Sequence, residues 1–170
     1  MISKSGFNLL SRDAKDTLVK ELFPLAELIT PNLPEAEEIL GVEIKTLDEM
    51  KEAAIKLMEL GPKAVLVKGG HLEDDATDLL FDGKNFILLP QERLNTTHTH
   101  GTGCTLSSAI AANLAKGMTV EEAVKAGKKY ITCAIEHGFE LGKGVGPTNH
   151  FYELYKESGR YEEITGEKDK

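Results

Sequence analysis

Apolar residues in the first half of the chain fall into two kinds of pattern. Leu47, Met50, Ala54, Leu57 and Leu60 recur at three- to four-residue spacing, which predicts one face of an α-helix. Thr46-Leu47-Asp48-Glu49 supplies its start as a capping box. The Thr hydroxyl can accept from the backbone N–H three residues on, and the Glu can reach back to the cap. Gly61-Pro62 ends this helix. Residues 64–68 are then a continuous run of β-formers rather than an alternating one, as in a strand buried on both faces. A shorter apolar run, 26–30, stops at Pro31 and predicts a second buried strand. A helix crossing between two such strands is the βαβ unit of a parallel sheet.

The remaining punctuation fills in the other elements. Ser11 can cap a helix over 11–22 whose apolar side is Leu18, Val19, Leu22 and Phe23, closed by Pro24. A brief helix over 34–40 stops at Gly41. Residues 77–81 and 86–89 flank Asp82-Gly83-Lys84-Asn85, and Asp-Gly between apolar runs predicts an antiparallel hairpin. A strongly apolar helix follows over 104–115, ended by Lys116-Gly117. A second capping box, Thr119-Val120-Glu121-Glu122, opens a helix through 137. Gly142, Gly144, Gly146 and Pro147 mark a loop. A last helix starts near Asn149 and carries Phe151, Leu154 and Tyr155, and the polar residues 165–170 are expected to fray. With no internal repeat and no linker, residues 1–170 read as a single domain.

Composition narrows the function classes. The chain is 41% hydrophobic and 28% charged, ordinary for a globular domain. Its net charge is −8 with Lys and Arg scattered, which argues against nucleic acid or an anionic membrane as partner. An anionic ligand would therefore need a local positive site. No apolar run approaches the roughly 20 residues of a membrane span. Residues 1–5 show no apolar leader segment, so the cytoplasm is the expected compartment. Cys104 and Cys133 are too few for a disulfide framework and lack C-x-x-C spacing.

The segment that carries chemistry is His98-Thr99-His100-Gly101-Thr102-Gly103-Cys104-Thr105. Two glycines permit tight backbone geometry just before a helix. The first-turn N–H groups of that helix lack intrahelical partners and sit at the positive end of its dipole. Together they would make an anion hole for a phosphate. Cys104 at such a position would favour thiolate. The competing reading is a glycine turn that packs a small Cys into a core, and the residues alone leave both open. His98 and His100 have no third ligand nearby and read as loop residues. His71, His137 and His150 read as hydrogen-bonding or surface residues, and Cys133 as a small core residue inside a helix.

Gly-Thr-Gly-Cys-Thr opening an Ala-rich helix resembles the anion-hole signature of the ribokinase superfamily. Its Cys-bearing variant resembles the phosphomethylpyrimidine kinases and some pyridoxal kinases. Four further segments agree in order: Thr30-Pro31-Asn32-Leu33-Pro34-Glu35, Val67-Lys68-Gly69-Gly70-His71, Asp78-Leu79-Leu80-Phe81, and Gly144-Val145-Gly146-Pro147-Thr148-Asn149-His150-Phe151. The resemblance implies a three-layer α/β/α ribokinase-like fold, with a mostly parallel sheet and an antiparallel hairpin. It implies ATP and Mg²⁺, and a hydroxymethylpyrimidine or its monophosphate as substrate. Cys104 would be the base for the hydroxymethyl group, and Gly101, Thr102 and Gly103 the anion hole. Lys68 and Gly70 would face ATP, and Asn32 and Glu35 would hold Mg²⁺ through water. Without the resemblance, Asn32 and Glu35 read as a helix cap and Lys68 as a solvated charge. A pyridoxal-type kinase is the enzymatic alternative.

The resemblance also has a gap. Family chains are longer at the front, where a Gly-rich segment contacts the pyrimidine, and Met1 aligns with an internal Met of theirs. A metal-side Asp that precedes that Met has no counterpart, and Val145 stands where relatives often have His. The expectation is a C-terminal portion only, working as a homodimer or with a separate front half. An inactive nucleotide-binding chain is the non-enzymatic alternative. Sheet edges and helix faces that the front would cover should then lie open.

Overall fold

The computed structural model describes residues 11–70, 77–91, 94, 96, 98–139 and 143–166. The chain divides into two compact units, Met1–Arg93 and Leu94–Lys170, each described by itself.

In the first unit Ser11 caps helix α1 (Arg12–Thr17), accepting from the Ala14 N–H at 3.3 Å. The expected single helix over 11–22 then changes pitch, widening to a π turn at Leu18–Leu22 and tightening to a 3-10 turn at Phe23–Leu25, which contains Pro24. Helix α2 (Leu33–Leu40) ends at Gly41 in the left-handed region, and α3 (Leu47–Met58) starts at the Thr46 capping box. Met50, Ala54 and Leu57 are fully buried, so the helical period picked the core face correctly. Strands β1 (Val65–Val67), β2 (Asp78–Phe81) and β3 (Phe86–Leu89) follow, and α3 packs on β1 and β2.

The expected mostly parallel sheet is corrected by the pairing. The sheet is a small three-stranded one, order β1-β2-β3, and both of its pairings are antiparallel. Among the described residues of this unit, parallel pairing takes the form of two isolated bridges, Ile29 with Val65 and Asn32 with Lys68. Backbone hydrogen bonds follow this line from the Lys63 N–H to the Ala26 carbonyl, from Ile29 to Ala64, from Leu66 to Ile29 and from Lys68 to Pro31, so the 26–30 segment does lie alongside β1, while Pro31 itself has no N–H to donate. Across β1 the other edge is taken by β2, which returns antiparallel. The hairpin is as expected: Asp82 Oδ1 accepts from the N–H groups of Lys84 and Asn85, and Phe81 stacks on Phe86.

The second unit is helical. Helices α4 (Thr102–Ala115) and α5 (Val120–Glu136) pack on each other, with Leu106 and Ile110 of α4 against Gly127 of α5. Helix α4 begins at Thr102, two residues before the expected start. Helix α6 (Tyr152–Glu157) is the expected last helix, and a further short one, α7 (Tyr161–Thr165), follows it. No described helix is long and apolar enough to cross a membrane. Residues 1–6, His71, Gly142 and 167–170 lie outside the described residues.

Candidate active site

Within the first unit the structure brings Asn32, Glu35 and Lys68 to one place. Asn32 is the N-cap of α2: its Oδ1 accepts from the Glu35 N–H at 2.8 Å, and Glu35 Oε2 accepts from the Asn32 N–H at 3.0 Å. The simple capping reading of the two residues is thus realised. Asn32 also bridges Lys68 in parallel, with the Lys68 N–H donating to the Pro31 carbonyl at 2.9 Å. A helix start therefore lies beside the carboxyl end of β1, the end at which α/β sheets bind ligands. Lys68 is half-buried and forms no ion pair among the described residues, so its ammonium is available to an anion. Gly70, the last described residue of this segment, is exposed. Behind it, the Gly69 N–H donates to buried Asp78 Oδ1 at 2.9 Å.

Within the second unit Gly101, Thr102, Gly103 and Cys104 form the start of α4. Gly101 takes φ 80° and ψ 3°, a left-handed conformation open to glycine at little strain. That turn aims the N–H groups of 102–104 out of the helix end. Helices α2, α3 and α5 each close their first turn with a reciprocal capping box. Helix α4 has no side-chain cap. Its first-turn donors are left for a ligand or for water, and the helix dipole makes an anion the favoured guest. Thr105 Oγ1 donates to the Gly101 carbonyl at 2.9 Å and steadies the turn. The thiol of Cys104 is exposed in this first turn, so the reading in which it packs into a core is set aside.

Two further features went unread in the sequence. The first is a brace just before the start of α4. The His100 N–H donates to the Gly146 carbonyl at 3.2 Å, His100 bridges Pro147, and the Phe139 N–H donates to the Pro147 carbonyl. The His98 ring packs against Gly138 and Gly146, where a Cβ would overlap it. His98 Nδ1, Thr148 Oγ1 and Asn149 Nδ2 are buried there without hydrogen-bond partners. The recurring glycines of the 144–149 segment were the available signal. The second is an open groove of about 700 Å³ beside α4, lined by Cys104, Ser108, Ala112, Lys116, Tyr130 and His150 among others.

The other titratable residues sort away from catalysis. Cys133 is half-buried, and its thiol is pushed up by burial, with Glu153 and Glu136 adding to the effect. Its sulfur lies 3.9 Å from His137 Nδ1, and the His137 ring stacks on Tyr152. Among the described residues no group of three His, Cys, Asp or Glu could hold a metal ion. Asn32 and Glu35, two oxygen-bearing side chains, would therefore meet Mg²⁺ through its water shell, a mode in keeping with how reluctantly Mg²⁺ dehydrates.

Comparison with known proteins places this geometry in context. The family profile described as phosphomethylpyrimidine kinase matches residues 1–149. A hydroxymethylpyrimidine/phosphomethylpyrimidine kinase of Staphylococcus aureus (strain MSSA476) is 47% identical over 160 residues, covering 92% of this chain and 58% of the relative. The ADP complex of Bacillus subtilis pyridoxal kinase superposes with a TM-score of 0.80 at 44% identity, covering 86% of this chain and 58% of that one. The Staphylococcus aureus pyridoxal kinase in complex with AMP-PCP does so with a TM-score of 0.80 at 33% identity, covering 88% and 55%. The chain therefore has part of a ribokinase-like kinase fold, and it spans well under two-thirds of the length of these relatives.

Proposed function

The chain belongs to the phosphomethylpyrimidine kinase family, and from that membership we propose that it supplies the nucleotide-side, catalytic part of a cytoplasmic kinase in thiamine biosynthesis. The reaction is ATP-dependent phosphoryl transfer to 4-amino-5-hydroxymethyl-2-methylpyrimidine or its monophosphate. The observation that carries the reading is the uncapped start of α4, with Gly101 left-handed and Cys104 exposed in the first turn.

Each residue takes a role from its chemistry. The backbone N–H groups of Thr102, Gly103 and Cys104 stabilise charge that builds on the transferring phosphoryl group. In so loose a transition state, positioning and electrostatics supply nearly all of the catalysis. Cys104 Sγ accepts the proton of the substrate hydroxymethyl group as its oxygen attacks. Lys68 and Gly70 face the nucleotide phosphates. Asn32 and Glu35 hold Mg²⁺ through water, and the ion supplies charge neutralisation on the phosphates when bound. In this reading residues 1–170 serve as one kinase domain.

A pyridoxal kinase is the second reading, favoured by the likeness to the Bacillus subtilis enzyme at 44% identity. Calorimetry with MgATP tests the nucleotide site, and phosphate transfer from ATP to hydroxymethylpyrimidine, its monophosphate and pyridoxal separates the substrates. No heat and no melting shift at millimolar nucleotide would remove the site as drawn. Transfer to pyridoxal alone would replace the first reading with the second.

A further inference from the structure

Gly138 and Gly146 are glycines for a reason other than backbone conformation. Neither takes the left-handed φ that favours glycine, unlike Gly101. What each lacks is room for a Cβ. One built at Gly138 would lie 2.4 Å from His98 Cβ and 2.9 Å from its Cγ. One at Gly146 would lie 2.3 Å from His98 Nδ1. All of these are well inside ordinary van der Waals contact. The two glycines, one just past the end of α5 and one in the loop before α6, therefore form a seat for the His98 side chain. The seat is itself fixed to α5: the Gly138 N–H donates to the Ile135 carbonyl at 3.1 Å, and the Asn149 N–H to the Ala134 carbonyl at 2.8 Å. His98 Nδ1 is buried with no hydrogen-bond partner, so no bond from that nitrogen accounts for the residue, and its fit to the seat does.

We propose that His98 is a positioning residue: seated on Gly138 and Gly146, it fixes the approach of the chain into Gly101, and with it the direction of the N–H groups of Thr102, Gly103 and Cys104. The backbone carries the restraint forward. Two residues after His98, the His100 N–H donates to the Gly146 carbonyl at 3.2 Å, so side chain and main chain grip the same glycine. One residue after His98, the Thr99 carbonyl accepts from the Thr102 hydroxyl at 3.3 Å, which joins the segment to the first turn of α4. Gly101 alone separates this anchored stretch from the helix. Donors that meet developing charge must be held in place beforehand, and a misplacement of about 1 Å can cost on the order of 100-fold in rate. The catalytic consequence rests on the proposed phosphoryl site at the start of α4, whereas the seat itself does not.

The test measures backbone amide order by NMR relaxation in the full chain. In His98→Ala the order parameters of residues 99–103 should fall from about 0.85 to below about 0.6, while those of α5 stay at the parent level. His98→Asn, whose planar amide matches the first ring atoms in shape, should restore them. Gly138→Ala should loosen the same residues by displacing the side chain, yet add little in a His98→Gly background, because the two changes remove one contact. Turnover is read beside this, with the chain co-expressed with the front of the Staphylococcus aureus kinase. His98→Ala should lower kcat for hydroxymethylpyrimidine about tenfold or more and move the Kd for MgATP less than about twofold, and His98→Asn should recover kcat. Unchanged order at 99–103 in His98→Ala, or equal loosening of α5, would overturn the positioning role. So would fully additive effects of Gly138→Ala and His98→Gly. A parent that transfers no phosphate would remove the proposed reaction and leave the order measurements to decide the role of His98.

Discussion

The backbone N–H of Gly69 donates a 2.9 Å hydrogen bond to Oδ1 of Asp78, tying the end of β1 to the start of β2. Asp78 is buried, and a Cβ at position 69 would collide with the Thr77 carbonyl oxygen. The pair therefore fixes how the chain leaves β1 directly after Lys68.

Asp78→Ala should lose this bond and leave a buried donor, lowering stability by about 2 kcal/mol in urea unfolding. Asp78→Asn keeps an acceptor and should lose less. Gly69→Ala should destabilise by about 3 kcal/mol, because the obstacle is backbone and cannot step aside. Nucleotide affinity at Lys68 should fall with each in the same order.

Acid should loosen the caps before the core. Hydrogen bonds from the Lys45 N–H and from Thr46 hold the Glu49 carboxyl below its ordinary 4.5, and those from Thr119 do the same for Glu122. The Asn85 and Lys84 N–H groups hold Asp82 below 3.8. A depressed folded pKa means that the stabilisation is complete above the ordinary value and is lost as pH falls through the folded one. Melting temperature should thus be flat above pH 4.5 on account of these groups and drop below it. Glu49→Gln and Glu122→Gln should each shallow that drop. Thr119→Ala should cost about 1 kcal/mol at neutral pH.

The two thiols should react unequally. Cys104 is exposed, while burial and two nearby carboxylates disfavour the Cys133 thiolate. Iodoacetamide at pH 7.5 should modify Cys104 several-fold faster, as followed by mass spectrometry. MgATP should slow the reaction at Cys104 and spare that at Cys133. Equal rates would return Cys104 to a structural role.

Thr148 is 3% exposed and its hydroxyl lacks a partner. An unsatisfied buried group is destabilising by about 1–3 kcal/mol, so the near-isosteric Thr148→Val should raise the melting temperature. A fall would mean that a buried water completes the brace just before α4.

What could be read from the sequence was local. The capping boxes at Thr46 and Thr119, the Asp82-Gly83 hairpin and the α3 core face depend on residues a few positions apart, and all are present. Strand direction was not local. Continuous apolar runs at 26–30 and 64–68 fit a parallel sheet, and the two segments do exchange backbone bonds and two parallel bridges, yet among the described residues the ladder partner of β1 is β2, which is antiparallel. Asn32 and Glu35 form the capping box that their spacing alone suggests. The groove on α4 was legible only in part. Its apolar composition was visible, but that most of the helix stays exposed depends on what packs against it.

Cys104 is the proposed proton acceptor in phosphoryl transfer to hydroxymethylpyrimidine. Its most direct test is the turnover of Cys104→Ser against the parent chain, each co-expressed with the front of the Staphylococcus aureus kinase, with MgATP affinity measured beside it. The chain alone should transfer phosphate very slowly or not at all, and the parent complex should be faster by orders of magnitude. Cys104→Ser should cut kcat about 100-fold or more, because a hydroxyl is a far poorer base, while the Kd for MgATP moves less than about twofold. A Cys104→Ser complex as fast as the parent, or a parent complex that transfers nothing to the pyrimidine, would contradict the account.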